Sequence, residues 1–428
     1  MYNNLKLLRM IFKEEQKTQP ISRLQVMDAF KRVKANGGSA GVDEVTIAQE
    51  QGNLRKYLYP LWNRLASGSY HPQAVRQVMI PKSDGKERAL GIPTITDRVA
   101  QQVIATELAD IVEKQFSANS FGYRPNKSAH DAIEQCRINC IKYSWVIDLD
   151  IKGFFDNIDH ALLLKALKHY TDKKHILLYV KRWLDAPVKL LDGTIKHPNG
   201  KGTPQGGVIS PVLANIFLDI VFDKWMEKKY EKIKFERYAD DVVVHCQDIK
   251  QALRLLEAIT QRLKDCKLEL NKEKSKIVYC RRNQKRQPPF KVKYQKFDFL
   301  GFTFQPRIVK ERNKTKLGFT PAMSKKSMSR IGKELYKLQL HRWVHFPISR
   351  IAELLKLKIR GWINYYGKFR KSEMRKVFRV LNLRLAKWVS NKYRRFRRKH
   401  WYYAYKYLQG ICKEYPNLFE HWKYDFRP

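Results

Sequence analysis

The sequence predicts an α+β domain followed by an all-α unit, on three observations. Up to about residue 305, short β-branched or aromatic runs alternate with amphipathic helical stretches, the pattern of a mixed or antiparallel sheet covered by helices. Past Arg307 these give way to long helical stretches rich in Lys, Arg, Trp and Tyr. The charge shifts at the same place: of a net +44, about +26 falls on the last 123 residues. A chain of 428 residues has room for two or three subdomains.

The elements follow in order. Residues up to about Ala35 are amphipathic and helical, with Leu24, Met27 and Phe30 on one face. The loop Asn36–Gly41 comes next, then a helix over about Asn53–Ala66. Residues 74–81 and 88–92 alternate as two strands around the turn Lys82-Ser83-Asp84-Gly85-Lys86, a basic hairpin ended by Pro93. Asp97 is expected to cap a helix reaching Phe116, and a second helix runs from Asn126 or Ser128 through Cys140. In the strand 145–151, Asp148 and Asp150 share a face because strand side chains repeat every two residues. Helices are expected over Ala161–Tyr170, Ile209–Trp225 and Ile249–Cys266, with a strand near 268–270 followed by the charged segment 272–278. Four helices close the chain: Ser324–Leu340, Ile348–Tyr366, Ser372–Lys392 and Arg394–Leu408.

Composition narrows the function. An excess of 85 Lys+Arg over 41 Asp+Glu repels itself in a folded chain, so a polyanion is the expected partner. No run of ~18 apolar residues exists, so no membrane span is expected. The six cysteines make no C-x-x-C pair; Cys136 and Cys140 lie on one helix face as small core residues, and neither a disulfide framework nor a zinc site is indicated. The N-terminus lacks an apolar signal region and carries Glu14 and Glu15, which points to a cytoplasmic, reduced protein.

The acids carry the chemistry. Phe235–Val244 reads as a hairpin with Asp240 and Asp241 at its turn. Adjacent carboxylates repel, and two Mg²⁺ ions between them would relieve the repulsion. Alone, these ten residues fit a solvated Asp-Asp turn equally well. If the hairpin pairs with the strand holding Asp148 and Asp150, three carboxylates converge on a two-metal site for nucleotidyl transfer. Lys82 and Arg88 could then serve the far phosphates, and a lysine could protonate the pyrophosphate.

The segments IPKSDGKERALGIPTITDRVAQQ, SANSFGYRPNKSAHDAI, VIDLDIKGFFDNIDH, GTPQGGVISPVLANIFLD, RYADDVVV, LELNKEKSKIV and FDFLGFTF follow the motif order of reverse transcriptases. The chain most resembles those encoded by group II introns, and IRGWINYYGKF resembles their thumb and maturase segment. The resemblance spans about Gly41 to Tyr403. It implies a right-hand polymerase: an N-terminal extension and fingers over 1–145, a palm over 146–305 with part of the fingers inserted, and an α-helical thumb and maturase X domain over 306–428. It also implies an RNA-directed DNA polymerase, which extends a DNA or RNA primer with dNTPs on an RNA template and binds intron RNA to assist splicing and retromobility.

Roles transfer by position. The resemblance makes Asp150, Asp240 and Asp241 the catalytic and metal-binding acids, for two Mg²⁺ ions with Mn²⁺ as a possible substitute. Asp148 becomes structural, although the bare sequence does not choose between it and Asp150. Phe155 matches the aromatic beneath the incoming sugar, where it would exclude a ribose 2′-OH, although Phe154 beside it fits a core or site position as well. Lys82 and Arg88 match the triphosphate contacts, Arg as a bidentate donor. Gln205 matches a residue near nucleotide and template. Lys274 matches the general acid, between Lys272 and Lys276 on a charged segment. Phe299, Leu300 and Gly301 match the segment that grips the primer end. In the run 392–399, Arg394, Arg395, Arg397 and Arg398 with interleaved aromatics fit nucleic acid contact.

Many family members continue into a DNA-binding region and an H-N-H nuclease; this sequence ends at Pro428 without them, so target-strand nicking is not expected of it. Two alternatives stand beside the intron reading. One is a related reverse transcriptase serving phage defence, CRISPR spacer acquisition or DNA repair. The other is a maturase that binds RNA without polymerising. The sequence fits a monomer or a homodimer.

Overall fold

The computed structural model describes residues 18–81, 87–282, 291–311 and 314–428. These fall into two compact units: residues up to Arg124 with Ile151–Tyr230 and Thr260–Leu270, and Pro125–Asp150 with Glu231–Ile259 and Asn271–Pro428.

The first unit is built on the helix Ile95–Val112, whose Val99, Ala100, Val103, Ile104 and Leu108 are all buried. Its cap is Thr94 and not Asp97: the Thr94 hydroxyl accepts from the Asp97 N–H at 3.0 Å. Asp97 instead turns inward, where its carboxylate accepts from the Tyr70 hydroxyl and from the Gln73 N–H at 3.2 Å. An acid three residues into a helix can serve the interior as readily as the cap. Strands β1 (Val75–Pro81) and β2 (Glu87–Ile92) form the expected hairpin, with Ile80 opposite Arg88. Two short strands, β4 (Val188–Lys189) and β5 (Ile195–Lys196), extend that sheet, β4 running parallel to β1. The helix expected over 209–225 carries a break. Ser210–Leu218 passes through one π-helical stretch, Asp219–Asp223, into Lys224–Lys229. Asp219 is fully buried there, accepting from the Ser117 N–H at 3.1 Å and from the Tyr170 hydroxyl, with Lys224 Nζ 3.4 Å away. A π-turn sets that carboxylate where a regular helix would not, which sequence periodicity does not register.

The second unit holds a four-stranded antiparallel sheet in the order β6-β7-β3-β8: β3 is Trp145–Leu149, β6 Lys234–Tyr238, β7 Asp241–Cys246 and β8 Lys276–Tyr279. The helix Ala129–Lys142, started by a Ser128–Asp131 capping box, packs on β6 and β7. The strand expected at 268–270 is reduced to a single bridge, Ile151 to Leu270, within the first unit. A second sheet, β11-β10-β9, joins Phe297–Phe299 (β9), Phe302–Glu311 (β10) and Lys314–Met323 (β11). The helical region therefore begins at Lys325, later than the shift in composition suggests. Charged residues such as Lys310 and Lys316, exposed on a hairpin that buries Phe304, Phe319 and Ala322, make it look in sequence like the basic helices beyond it.

Helices Lys325–Lys337, Ile348–Tyr366, Arg375–Lys392 and Trp401–Glu414 complete the chain. The helix expected from Arg394 is interrupted: Arg394–Phe396 is a 3₁₀ turn, and the helix restarts at Trp401. Among the described residues no helix is long and apolar enough to cross a membrane. Trp388 is fully buried and its indole N–H donates to Trp343 O at 2.9 Å. Trp388→Ala is expected to cost about 3–5 kcal/mol, read as a lower denaturant midpoint for the unit that holds it.

Candidate active site

In the second unit the acids gather at one end of the β6-β7-β3-β8 sheet. The β3–β7 register pairs Leu149 with Val242, so the next residue, Asp150, comes opposite Asp241. Tyr238 pairs with Asp241, which leaves Ala239 and Asp240 as a two-residue turn. Ala239 sits at φ +55° without being glycine. Tight hairpins need positive φ to match strand twist, and a non-glycine residue held there costs about 1–3 kcal/mol. The turn is supported from inside: the buried Arg237 guanidinium donates to Ala239 O at 3.2 Å.

Asp150 is fixed through its backbone. Its N–H donates to Ser275 Oγ at 3.1 Å and its C=O accepts from the Asn271 N–H at 2.8 Å. Lys274 Nζ lies 3.8 Å from Asp150 Oδ2, and both side chains reach solvent. Asp148 is placed differently. It stands directly across from Lys276, with Nζ 3.3 Å from Oδ2. Burial pushes Asp148 up to about 6, Lys276 works against the shift, and the charges of Asp298 and Asp150 add to it. The structure thus separates two aspartates that the bare sequence leaves equivalent. Asp148 has a cationic cross-strand partner and a side chain 19% exposed, against 36% for Asp150.

Asp241 records the crowding. Its side chain reaches solvent, yet the protein around it, and then the charges of Asp240, Asp148 and Asp150, push it up to about 7. Lys326, on the helix Lys325–Lys337, opposes that shift. Hard carboxylate oxygens that repel one another suit a divalent cation such as Mg²⁺. Ser275, Arg237, Lys276 and Lys326 were not singled out as site residues from the sequence. Only Lys276 carried a signal, its place beside Lys274.

The first unit gathers the residues expected near a nucleotide. In the short helix Phe154–Asn157, Phe154 is 2% exposed and belongs to the core, while Phe155 is half-buried with its ring edge-on to Phe154 at 5.3 Å. Gln205 Nε2 donates to Asp156 Oδ1 at 3.0 Å, and Gln205 O accepts from the Gly91 N–H at 2.7 Å. The loop and strand β2 touch so closely that a Cβ on Gly206, at φ +120°, would meet Gly91 O at 2.4 Å. Glycine is required there for both reasons. Arg88 is exposed on β2, three residues before Gly91. Lys82 lies outside the described residues.

Back in the second unit, Phe299 pairs with Phe302 around the turn Leu300-Gly301, both at positive φ (+49° and +79°). Helical residues clamp this turn: Tyr365 Oη donates to Leu300 O at 2.8 Å, and Ser327 Oγ donates to Gly301 O at 3.0 Å. Tyr366 is buried against Phe302 and its hydroxyl accepts from Arg330 at 2.7 Å. Arg394, Arg395, Arg397 and Arg398 are all exposed. Arg395 lies over its own neighbours, 4.8 Å from the Phe396 ring and 4.9 Å from the Tyr407 ring, and Arg397 Nε donates to Asn391 O at 3.3 Å.

A carboxyl raised above its unfolded value of about 3.9 adds stability below that pH, and the contribution is lost as pH climbs through the folded value. For Asp241 the window runs from about 4 to about 7. The Tm of metal-free protein in EDTA is expected to fall across it, and Asp240→Asn to flatten the fall. Parallel curves for the two proteins would show that these acids do not share a field.

Family comparisons agree with this geometry. The model "Reverse transcriptase (RNA-dependent DNA polymerase)" matches residues 80–304, and "Group II intron, maturase-specific domain" matches residues 328–407. The chain is 31% identical over 280 residues to Protein YkfC of Escherichia coli, covering 56% of this chain and 72% of that one. It is 32% identical over 254 residues to the group II intron-encoded protein LtrA of Lactococcus lactis, covering 58% of this chain and 40% of that one. A putative COX1/OXI3 intron 1 protein of Saccharomyces cerevisiae is 35% identical over 202 residues, 47% of this chain and 24% of that one. The chain belongs to the reverse transcriptases of the group II intron type, RNA-directed DNA polymerases that carry a maturase-specific domain.

Proposed function

We propose that this polymerase extends the 3′-OH of a DNA or RNA primer with dNTPs on an RNA template, and that it binds intron RNA to assist splicing and retromobility. The observation that carries the reading is the β3–β7 register that sets Asp150 opposite Asp241, beside the Asp240 turn. A protein that only bound RNA would gain nothing from carboxylates that repel one another in this way. In functional terms, residues 1–145 act as N-terminal extension and fingers, 146–305 as palm with part of the fingers, and 306–428 as thumb and maturase domain. The protein works as a ribonucleoprotein in a bacterial cytoplasm.

The family's need for a divalent metal is met by two Mg²⁺ ions, with Mn²⁺ as a substitute, held by Asp150, Asp240 and Asp241. Metal held by these three carboxylates would supply positive charge for the attacking and leaving oxygens of the phosphoryl transfer. The chain's own groups do the rest. Arg88 presents a bidentate fork to the triphosphate, joined by Lys82. The half-buried Phe155 ring occupies the space a ribose 2′-OH would need. Gln205, tied to Asp156 and Gly91, holds the floor of the nucleotide site. Lys274 supplies a proton to the departing pyrophosphate. Phe299, Leu300 and Gly301 hold the primer end. Arg394, Arg395, Arg397 and Arg398 contact nucleic acid phosphates.

Asp240→Asn is expected to lower primer extension by more than about 10²-fold, the scale of losing one preorganised electrostatic group. Gel-shift affinity for the RNA should stay within about twofold, because phosphate contacts dominate it. Extension at the wild-type rate would refute the acid assignment. Phe155→Val should erode discrimination against rNTPs by about 10–100-fold, the range available to a steric pocket. Single-nucleotide incorporation with dNTP and rNTP in parallel measures it, and unchanged discrimination would remove Phe155 from the sugar site.

A further inference from the structure

In the first unit, residues 155–160 are laced to the loop that leads into Gln205. The Thr203 N–H donates to Phe155 O at 2.8 Å, the Gly202 N–H to Ile158 O at 2.8 Å, and the His160 N–H to Gly200 O at 2.9 Å. Asp159 and Lys201 form an antiparallel bridge between the same two stretches. Gly202, at φ +89°, comes so close that a Cβ on it would sit 3.1 Å from Asp156 O. At its far end the loop meets β2, where the Gly91 N–H reaches Gln205 O. The loop is thus held between the strand that carries Arg88 and the stretch that carries Phe155.

One side chain closes this clasp. His160 is 7% exposed, and its Nε2 lies 2.7 Å from Gly202 O. A carbonyl only accepts, so the imidazole donates through Nε2. His160 is the first residue of the helix His160–Tyr170, whose cap is already supplied: Asp159 Oδ1 accepts from the Leu162 N–H at 2.9 Å. Histidine is a modest helix former, so the helix gives no reason for an imidazole at that position. The first N–H groups of a helix lack partners within it, and that of His160 goes to the loop as well. Main chain and side chain of one residue therefore both serve residues 200–202.

We propose that His160 is a positioning residue for the incoming nucleotide: its bond to Gly202 O sets the gap between the Phe155 ring and the Gln205 loop. This rests on the placement of Phe155 and Gln205 in the nucleotide site given above, and adds the group that fixes their separation. Gln205 follows Gly202 by three residues, and the Phe155 carbonyl is bonded to Thr203, the residue between them in space. A carbonyl that loses its donor must find another, and Gly202 would move to do so. The displacement would reach Gln205 and Phe155 together. His160 acts only through the loop, so its loss should weaken nucleotide binding more than the chemical step.

The test compares His160→Leu with His160→Gln in the full chain, by single-nucleotide incorporation on a primer annealed to an RNA template. Leucine keeps apolar bulk and cannot donate, whereas a glutamine amide can place an N–H where Nε2 stands. His160→Leu is expected to raise the KM for dNTP by about 10-fold, the scale of one lost hydrogen bond with its carbonyl left unpaired, while kcat changes by less than about twofold. His160→Gln should recover most of the wild-type KM. Wild-type KM in His160→Leu would overturn the proposal, and so would a KM raised equally in both variants, because the donor is what is claimed. Gly202→Ala opens the same gap with His160 intact, by pressing a methyl group on Asp156 O. It should raise the KM in the same way, and a wild-type KM there would overturn the proposal even if the His160 variants do not fold. The sugar reading is decided separately by Phe155→Val. Lost discrimination there, with wild-type KM in His160→Leu, refutes the positioning role and leaves Phe155 in place. Unchanged discrimination there, with a KM raised in His160→Leu and restored in His160→Gln, removes Phe155 and keeps His160 as the residue that positions the Gln205 loop.

Discussion

Carboxylates crowded at one sheet end push one another apart, so something must hold them until a cation arrives. Here the antiparallel register of β3 on β7 does so. A strand pair cannot slip by one residue without turning every side chain to the other face. With Val146, Ile147, Val243 and Val244 all fully buried, that slip would expose the core. The core thus forces Asp150 to stay opposite Asp241, whatever the repulsion. Smaller supports act on the same point: Ser275 and Asn271 on the Asp150 backbone, Arg237 beneath the Ala239 turn, and Lys276 against Asp148. Lys276 is the least exposed of the charges in the two Lys–Asp pairs except Asp148 itself, so their attraction is less screened than that of Lys274 with Asp150.

The C-terminal helices have a second task inside their own unit. The turn Leu300-Gly301 carries positive φ at both residues, a conformation leucine adopts only under constraint. Tyr365 and Ser327 take its two carbonyls, and Tyr366 packs on Phe302 immediately after it. Tyr365 and Tyr366 lie in the stretch that matches the maturase-specific domain, which therefore also shapes a turn that closes the polymerase motif series. In the first unit a similar economy holds the loop at Gln205 against β2, where two glycines allow backbone to touch backbone.

Much of this was legible in the chain. The hairpins at 75–92 and 234–246 appear within a residue or two of their expected bounds, because alternation and turn chemistry are local signals. The helix Ile348–Tyr366 matches its expectation residue for residue, since its apolar period is unbroken. The misreadings share a cause. Asp97 as a cap, an unbroken helix over 209–225 and a helix from Arg394 were each inferred from local preference. In the first two, partners distant in sequence decide the outcome: Tyr70 and Gln73 draw Asp97 inward, while Ser117 and Tyr170 meet Asp219 in its π-turn.

By itself the sequence determined which residue types were available and about where most strands and helices lie. It put Asp150 at a strand end, Asp240 and Asp241 at a turn, and a series of motifs in one order, because those depend on periodicity and on turn residues. Only the tertiary structure decided what each residue faces. It gave Asp148 a lysine and left Asp150 at the more exposed position. It buried Phe154 and kept Phe155 half-exposed. It also set Cys136 beside Glu236 and His245, from segments a hundred or more residues apart in the chain. The physical reason is that pairing across strands and packing between layers are long-range. Spacing in the sequence fixes the direction of a side chain within its own element, and only the fold supplies its neighbour.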